Sequence, residues 1–268
     1  MSLVEMLHCT SLLALVGAGE QAAFSPRRLR IFNTKTEKYI CELNFLSTVL
    51  QVRLSYSHLV AVLERKIHLF DLRSMKMLHT LDTAANPRGI CALTAQGGAA
   101  AGPAAQHPPQ PGGPPPHAFL CYPASDERGE LFVYDALNLR TVACIRAHNT
   151  PLRCVSFNAA GSMLATCSQQ GTVIRVFSVP QGKKLFTFRR GTYPAKINSI
   201  AFNNSSDMLV VSSDDSSTVH VFSMRESGAA HEARGNGHAS MVQHAHILAV
   251  SSPCDLMQPS RRRSAIWC

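Results

Sequence analysis

At 268 residues, with 46% hydrophobic and only 16% charged side chains, the chain is long enough for one large domain or two small ones and can bury a sizeable core. Its net charge of +9 favours an anionic partner, whether nucleic acid, a phosphorylated ligand or an acidic membrane surface, without choosing among them. Nine cysteines, odd in number and never spaced CxxC, exclude a paired disulfide framework or a zinc site of ordinary spacing and point to a reducing, intracellular setting.

Taken from the start, the short apolar run Leu12–Val16 lacks a basic segment before it and follows Glu5, which argues against a secretory signal. No stretch reaches the roughly 18 apolar residues that a membrane-spanning helix needs. The runs Leu12–Val16, Leu29–Phe32 and Tyr39–Leu43 predict three strands, with room for a fourth before them. Leu50–Leu54, Leu59–Leu63, Ile67–Phe70 and Leu78–Leu81 predict four more. A further four follow at Ile90–Leu93, Phe119–Tyr122, Leu131–Tyr134 and Val142–Ile145, split by the Ala, Gly and Pro-rich segment Thr94–His117. That segment cannot bury a core and is expected to be a disordered loop.

Cys154–Phe177 (CVSFNAAGSMLATCSQQGTVIRVF) and Ser199–Phe222 (SIAFNNSSDMLVVSSDDSSTVHVF) are copies of one unit. Phe157 pairs with Phe202, Leu164 with Leu209, Ser168 with Ser213 and Phe177 with Phe222, every pair 45 residues apart. That period belongs to the WD-type blade of four short antiparallel strands. The expected fold is therefore an all-β, incomplete WD40-type propeller of about four and a half to five of seven blades. Residues 1–224 form the propeller, 94–117 are an insert, and 225–268 are a poorly ordered tail with no strand pattern beyond Ile247–Val250. An open stack of blades leaves unpaired sheet surfaces at its ends, to be covered by further blades or by a partner.

The chemistry concentrates at FRRG, Phe188–Gly191, which closes the last strand of the first copy. Successive side chains on a strand point to opposite faces, so Arg189 and Arg190 should diverge and serve two separate anion pockets. Arginine suits this because its planar fork binds phosphate bidentately and keeps its charge. Together with TVIRVFS at Thr172–Ser178, KLFTFRRGT at Lys184–Thr192, SSTVHVF at Ser216–Phe222, RAHNTPL at Arg146–Leu152 and LLALVGAG at Leu12–Gly19, this stretch resembles the PROPPIN family. These are the phosphoinositide-binding β-propellers of autophagy, known in animals as WIPI proteins.

The resemblance implies two headgroup sites flanking the FRRG strand. One uses Arg189 with His148, Ser168, Thr172 and Arg175; the other uses Arg190 with Ser213, Thr218 and His220. It also implies ligands of the phosphatidylinositol 3-phosphate or 3,5-bisphosphate type, and protein partners among the lipid-transfer and conjugation machinery of autophagy. Its implied place is the cytosol, peripherally on phagophore, endosomal or vacuolar membranes. Two departures weaken the match. Ser217 rather than Thr218 aligns with Thr172, and the chain after Arg225 has no aromatic residue before Trp267 where the family has a membrane-inserting loop, so one of the two signals that peripheral anchoring needs is altered.

No GxSxG, P-loop, HExxH or carboxylate-pair constellation is present, so a non-enzymatic role without cofactor is expected. The tail histidines His231, His238, His244 and His246 fit no tetrahedral metal spacing. Basic residues are scattered rather than striped with aromatics, so nucleic acid is not an expected partner. A protein–protein scaffold that binds no lipid is the alternative, because propeller rims hold peptides and an incomplete blade can accept a partner's strand.

Overall fold

A computed structural model describes residues 2–7, 9–21, 24–94, 117–214, 218–224 and, along the main chain, 245–249. Among the described residues, twenty strands form five four-stranded antiparallel sheets. The first contains β1 (Leu3–Met6), β2 (Leu12–Val16), β3 (Arg28–Asn33) and β4 (Lys38–Asn44); the second β5 (Gln51–Leu54), β6 (His58–Val62), β7 (Lys66–Asp71) and β8 (Met77–Asp82). The third holds β9 (Ala92–Leu93), β10 (Phe119–Pro123), β11 (Gly129–Asp135) and β12 (Arg140–His148). The fourth holds β13 (Leu152–Phe157), β14 (Met163–Ser168), β15 (Val173–Ser178) and β16 (Lys184–Arg189). In the fifth are β17 (Ile197–Phe202), β18 (Met208–Ser213), β19 (Thr218–Ser223) and β20 (Ala245–Ala249).

Each sheet is a simple meander in chain order, and the cores lie between sheets rather than inside one. Ala14, Val16 and Ile31 of the first sheet pack on Val52, Leu59 and Phe70 of the second. Val60, Val62 and Leu69 meet Leu120, Tyr122 and Tyr134 of the third. Leu131, Val133 and Ile145 meet Leu164 and Phe177 of the fourth. Ile174, Val176 and Phe188 in turn meet Leu209, Val211 and Phe222 of the fifth. Inner strands must therefore be apolar on both faces, and β6 and β10 are buried along their whole lengths. This is the blade stacking of a propeller, and no strand of the fifth described sheet pairs with the first.

Two features depart from the expected layout. Residues Ala245–Ala249, assigned to the tail, run antiparallel to β19 with Phe222 opposite Ala245 and Thr218 opposite Ala249, so the fifth sheet has four strands and not three. A strand that lacks strong alternation is legible only once an unpaired edge is there to receive it. Thr94, placed in the insert, still belongs to the third sheet: it donates its N–H to the Phe119 carbonyl at 2.9 Å and accepts the Phe119 N–H on Oγ1 at 2.9 Å. Residues 95–116 of the insert, and the tail apart from β20, lie outside the described residues.

At the open end, register aligns Met6, Leu13, Phe32 and Tyr39 across the outer face of the first sheet. Met6 is 57% and Tyr39 53% exposed, an apolar strip that no described sheet covers.

The fourth and fifth sheets are locked by Phe188 and Phe222, both fully buried, whose rings stack at 4.8 Å. Phe188→Ala should cost about 3–5 kcal/mol by leaving a cavity between two sheets. Chemical denaturation measures this, and a loss below about 1 kcal/mol would show that the two sheets are not packed as described.

Candidate functional site

Pairing fixes which way the FRRG arginines face. Val173 lies opposite Arg189, Ile174 opposite Phe188 and Arg175 opposite Thr187, and directly opposed residues share a face. Phe188 and Ile174 face the fifth sheet in the core. Arg189, Arg175 and Thr187 therefore face the third sheet. Thr166 joins that face opposite Arg175, and Ser168, two residues further on, falls in the same row as Val173 and Arg189. Two strand spacings separate Ser168 from Arg189, on the order of 10 Å.

Arg190 departs toward the fifth sheet. Its main-chain N–H donates to the Thr172 carbonyl (2.9 Å), its Nε to the Gly171 carbonyl (2.8 Å) and its Nη2 to the Tyr193 carbonyl (2.6 Å). The expected divergence of the two guanidiniums is what the backbone produces. Arg189 is exposed and Arg190 half-buried. Among the described residues neither has a carboxylate within ion-pair distance.

His148 and Arg175 form a built unit. Thr166 Oγ1 donates its single proton to the Arg175 carbonyl at 3.2 Å, so toward His148 Nε2, at 3.0 Å, it acts as acceptor. The imidazole proton therefore sits on Nε2, and Nδ1 accepts from Arg175 Nη1 at 3.1 Å. Arg175 Nη1 also donates to the Ala147 carbonyl. Burial, then the Arg175 charge, push the His148 pKa down to about 4, so the ring is neutral near pH 7. With both ring nitrogens engaged, His148 orients Arg175 and has no proton left for a phosphate oxygen.

The unit opens onto a cleft of about 550 Å³ between the third and fourth sheets, lined also by Arg128, Arg146 and Lys184, with Glu130 holding Arg146 at 3.3 Å. Arg189, Ser168 and Thr172 lie outside that cleft. Of the first expected group, the structure joins His148 to Arg175, places Ser168 and Arg189 on the same face, and leaves Thr172 as a turn residue whose carbonyl caps Arg190. Arg146 and Lys184 open two of the quoted motifs, RAHNTPL and KLFTFRRGT, but nothing in the sequence marked them or Arg128 as lining a cleft. Only the assembly of two sheets brings them beside Arg175.

The second group meets across the gap between the fourth and fifth sheets. His220 is opposite Val211, and Phe222 opposite Leu209. Alternation then puts Thr218 and Ser213 on the same face, which is turned toward Phe188. His220 is buried, its pKa lowered first by burial and then by the Arg190 charge, and its Nδ1 has no hydrogen-bond partner among the described residues. A buried imidazole nitrogen without a partner beside a fixed guanidinium is a polar vacancy suited to an oxyanion. Asp215, Ser216 and Ser217 lie outside the described residues.

Five-fold repetition of a four-stranded meander among the described residues, with cationic groups on both faces of one blade, defines an open β-propeller. The PROPPIN family model matches residues 1–106 and 114–250. Autophagy-related protein 18 of Yarrowia lipolytica is 45% identical over 206 residues, covering 76% of this chain and 52% of that protein. The Mycosarcoma maydis protein of that name is 43% identical over 271 residues, covering 96% and 58%.

Among solved structures, Kluyveromyces lactis Hsv2 superposes with a TM-score of 0.65 at 24% identity, over 84% of this chain and 62% of that one. KlAtg21, solved with the coiled coil of AgAtg16, gives 0.66 at 28% identity over 82% and 66%. The chain belongs to the PROPPIN family. It spans about half the length of the named relatives it matches.

Two measurements check the geometry. The folded pKa of His148 lies below its unfolded value near 6.5, so stability is full above about pH 6.5 and falls as protons bind the unfolded chain down to about pH 4. The expected loss is about 3 kcal/mol over that window, and it shrinks in His148→Gln. Nitrogen-15 NMR should find the Nε2–H form, and a His148 titrating near 6.5 would contradict this arrangement.

Gly171 has φ +63°, and a Cβ there would lie 2.0 Å from the Ala195 carbonyl oxygen. Gly171→Ala should cost at least 1–3 kcal/mol, roughly the cost of a side chain in that backbone region, and it displaces the carbonyl that holds Arg190. Unchanged thermal stability in this variant would show that the turn is free to move.

Proposed function

We propose that the chain is a phosphoinositide-reading scaffold of autophagy, peripheral to membranes that carry phosphatidylinositol 3-phosphate or the 3,5-bisphosphate. The observation that carries this reading is the divergence of Arg189 toward the third sheet, onto the face that carries Arg175 and Ser168, and of Arg190 toward the fifth, beside the buried His220. Two phosphorylated rings then meet one guanidinium each, one on either side of a single blade. In the first site Arg189, Arg175 and Ser168 would contact phosphate while His148 holds Arg175 in place; in the second, Arg190, Ser213, Thr218 and His220 would contact it. Thr172 contributes through its carbonyl, which fixes the backbone between the two arginines.

The chemistry is binding rather than catalysis, since arginines and hydroxyls recognise phosphate without a nucleophile or proton relay. Similarity to the relatives named Autophagy-related protein 18 supports a role in autophagy. KlAtg21 bound to the coiled coil of AgAtg16 makes a coiled-coil segment a suitable class of protein partner. The uncovered strip of Met6, Leu13, Phe32 and Tyr39 favours a second reading, a protein scaffold in which a partner or further blades seal the first sheet without any lipid.

Vesicle flotation decides between them. Arg189→Thr alone should weaken binding to vesicles containing phosphatidylinositol 3-phosphate by about tenfold, the usual worth of a charge-assisted contact. Arg189→Thr with Arg190→Thr should reduce flotation to that on plain phosphatidylcholine. Equal flotation of native and doubly substituted protein rejects the lipid reading. Retention of protein partners by a chain that never floats selects the scaffold.

A further inference from the structure

The innermost strands β1, β5, β9, β13 and β17 touch in succession around the propeller axis. Walled by β5, the turn before β9, β13 and β17 is a cavity of about 500 Å³, and none of the FRRG residues belongs to its wall. Three guanidiniums enter it: Arg53 from β5, Arg88 from the turn before β9 and Arg153 from β13. No carboxylate belongs to its wall, and Asn198, Ser199 and Ser156 supply neutral polar groups.

Each arginine is held or delivered by local structure. Arg153 Nε donates to the Ile197 carbonyl at 3.0 Å, which leaves its outer edge directed elsewhere. Arg53 Nη1 is steadied by Glu5, outside the cavity wall, at 3.3 Å. Arg88 is presented by a turn that Asn86 clamps at both ends, its Nδ2 donating to the Ile90 carbonyl (3.0 Å) and its Oδ1 accepting the Ile90 N–H (2.9 Å). Gly89 in that turn has φ +61°, and a Cβ there would lie 2.8 Å from Leu50 Cβ, so glycine lets the turn press against the start of the second sheet.

The Cys154 thiol shares the cavity. Its Sγ donates to the Ile197 carbonyl at 3.4 Å, the same oxygen that receives Arg153 Nε. Among the described residues Arg88 and Arg153, unlike Arg53, have no carboxylate within ion-pair distance, and unmatched positive charge in a recess is unfavourable when empty and favourable when an anion fills it. The volume falls in the range of small-ligand sites, and guanidiniums select phosphate over single-charge anions by bidentate bonding.

We propose that this axial cavity is a second anion site, taking a compact polyphosphate group, free or as a multiply phosphorylated headgroup, through Arg53, Arg88 and Arg153. It does not depend on the FRRG residues.

Calorimetry on the 268-residue chain with sodium tripolyphosphate at constant ionic strength tests it. Arg88 is exposed, so Arg88→Gln removes charge with little risk to folding. Measured in a chain that carries Arg189→Thr and Arg190→Thr, so that the FRRG sites do not contribute, affinity should fall about tenfold in that variant, and binding should vanish in Arg88→Gln with Arg153→Gln. Tripolyphosphate affinity unchanged by Arg88→Gln, or no binding by the native chain at millimolar tripolyphosphate, overturns the proposal. Flotation with and without phosphatidylinositol 3,5-bisphosphate identifies the source. Loss of tripolyphosphate binding with intact flotation assigns a free solute, and loss of both assigns a headgroup that reaches the axis.

Discussion

A four-stranded sheet with two apolar faces has no stable existence alone in water; the second, third and fourth sheets here are each held by the one before and the one after. Phe188 stacked on Phe222 is the contact on which the site depends, because it fixes the spacing between the fourth and fifth sheets. Fixing one side chain of β16 inward toward the fifth sheet forces its neighbour Arg189 the other way, and the turn that follows returns Arg190 to the fifth-sheet side. The divergence of the two guanidiniums is thus a by-product of core packing, expressed at a strand end where the core runs out.

Charge state separates the roles of the residues around it. Arginine keeps its proton at any physiological pH, so its contribution is permanent and only its aim has to be controlled. That control comes from carbonyl oxygens at Gly171, Tyr193 and Ala147 and from the lone pair of a neutral His148. Burial first, and the neighbouring arginines second, lower the pKa of both histidines. His148 serves as a brace, whereas His220 Nδ1 has no hydrogen-bond partner among the described residues.

The same stacking logic leaves a cost at the ends of an open propeller. Within the stack, apolar residues on both faces are satisfied; on the outer face of the first sheet Met6 and Tyr39 remain in solvent. A chain that spans about half the length of its relatives has one such surface at its start, whatever covers it. Around the axis the inner strands carry arginine in place of apolar residues, which is why the centre is a polar recess rather than another core.

Much of the architecture was legible in the residues alone. The 45-residue repeat, the apolar runs of β2 through β8 and the alternation across Arg189 and Arg190 depend only on local periodicity, which a linear chain displays directly. β20 was legible only as the strand pattern Ile247–Val250 inside a tail; its place in the fifth sheet is decided by the open edge of β19. Nor could spacing reveal that His148 spends both ring nitrogens on Thr166 and Arg175, or that Arg128, Arg146 and Lys184 share one cleft. Those facts belong to the gap between two sheets whose strands are tens of residues apart. Periodicity along a chain determines which face a side chain takes; only the packing of one sheet on the next decides what that face meets.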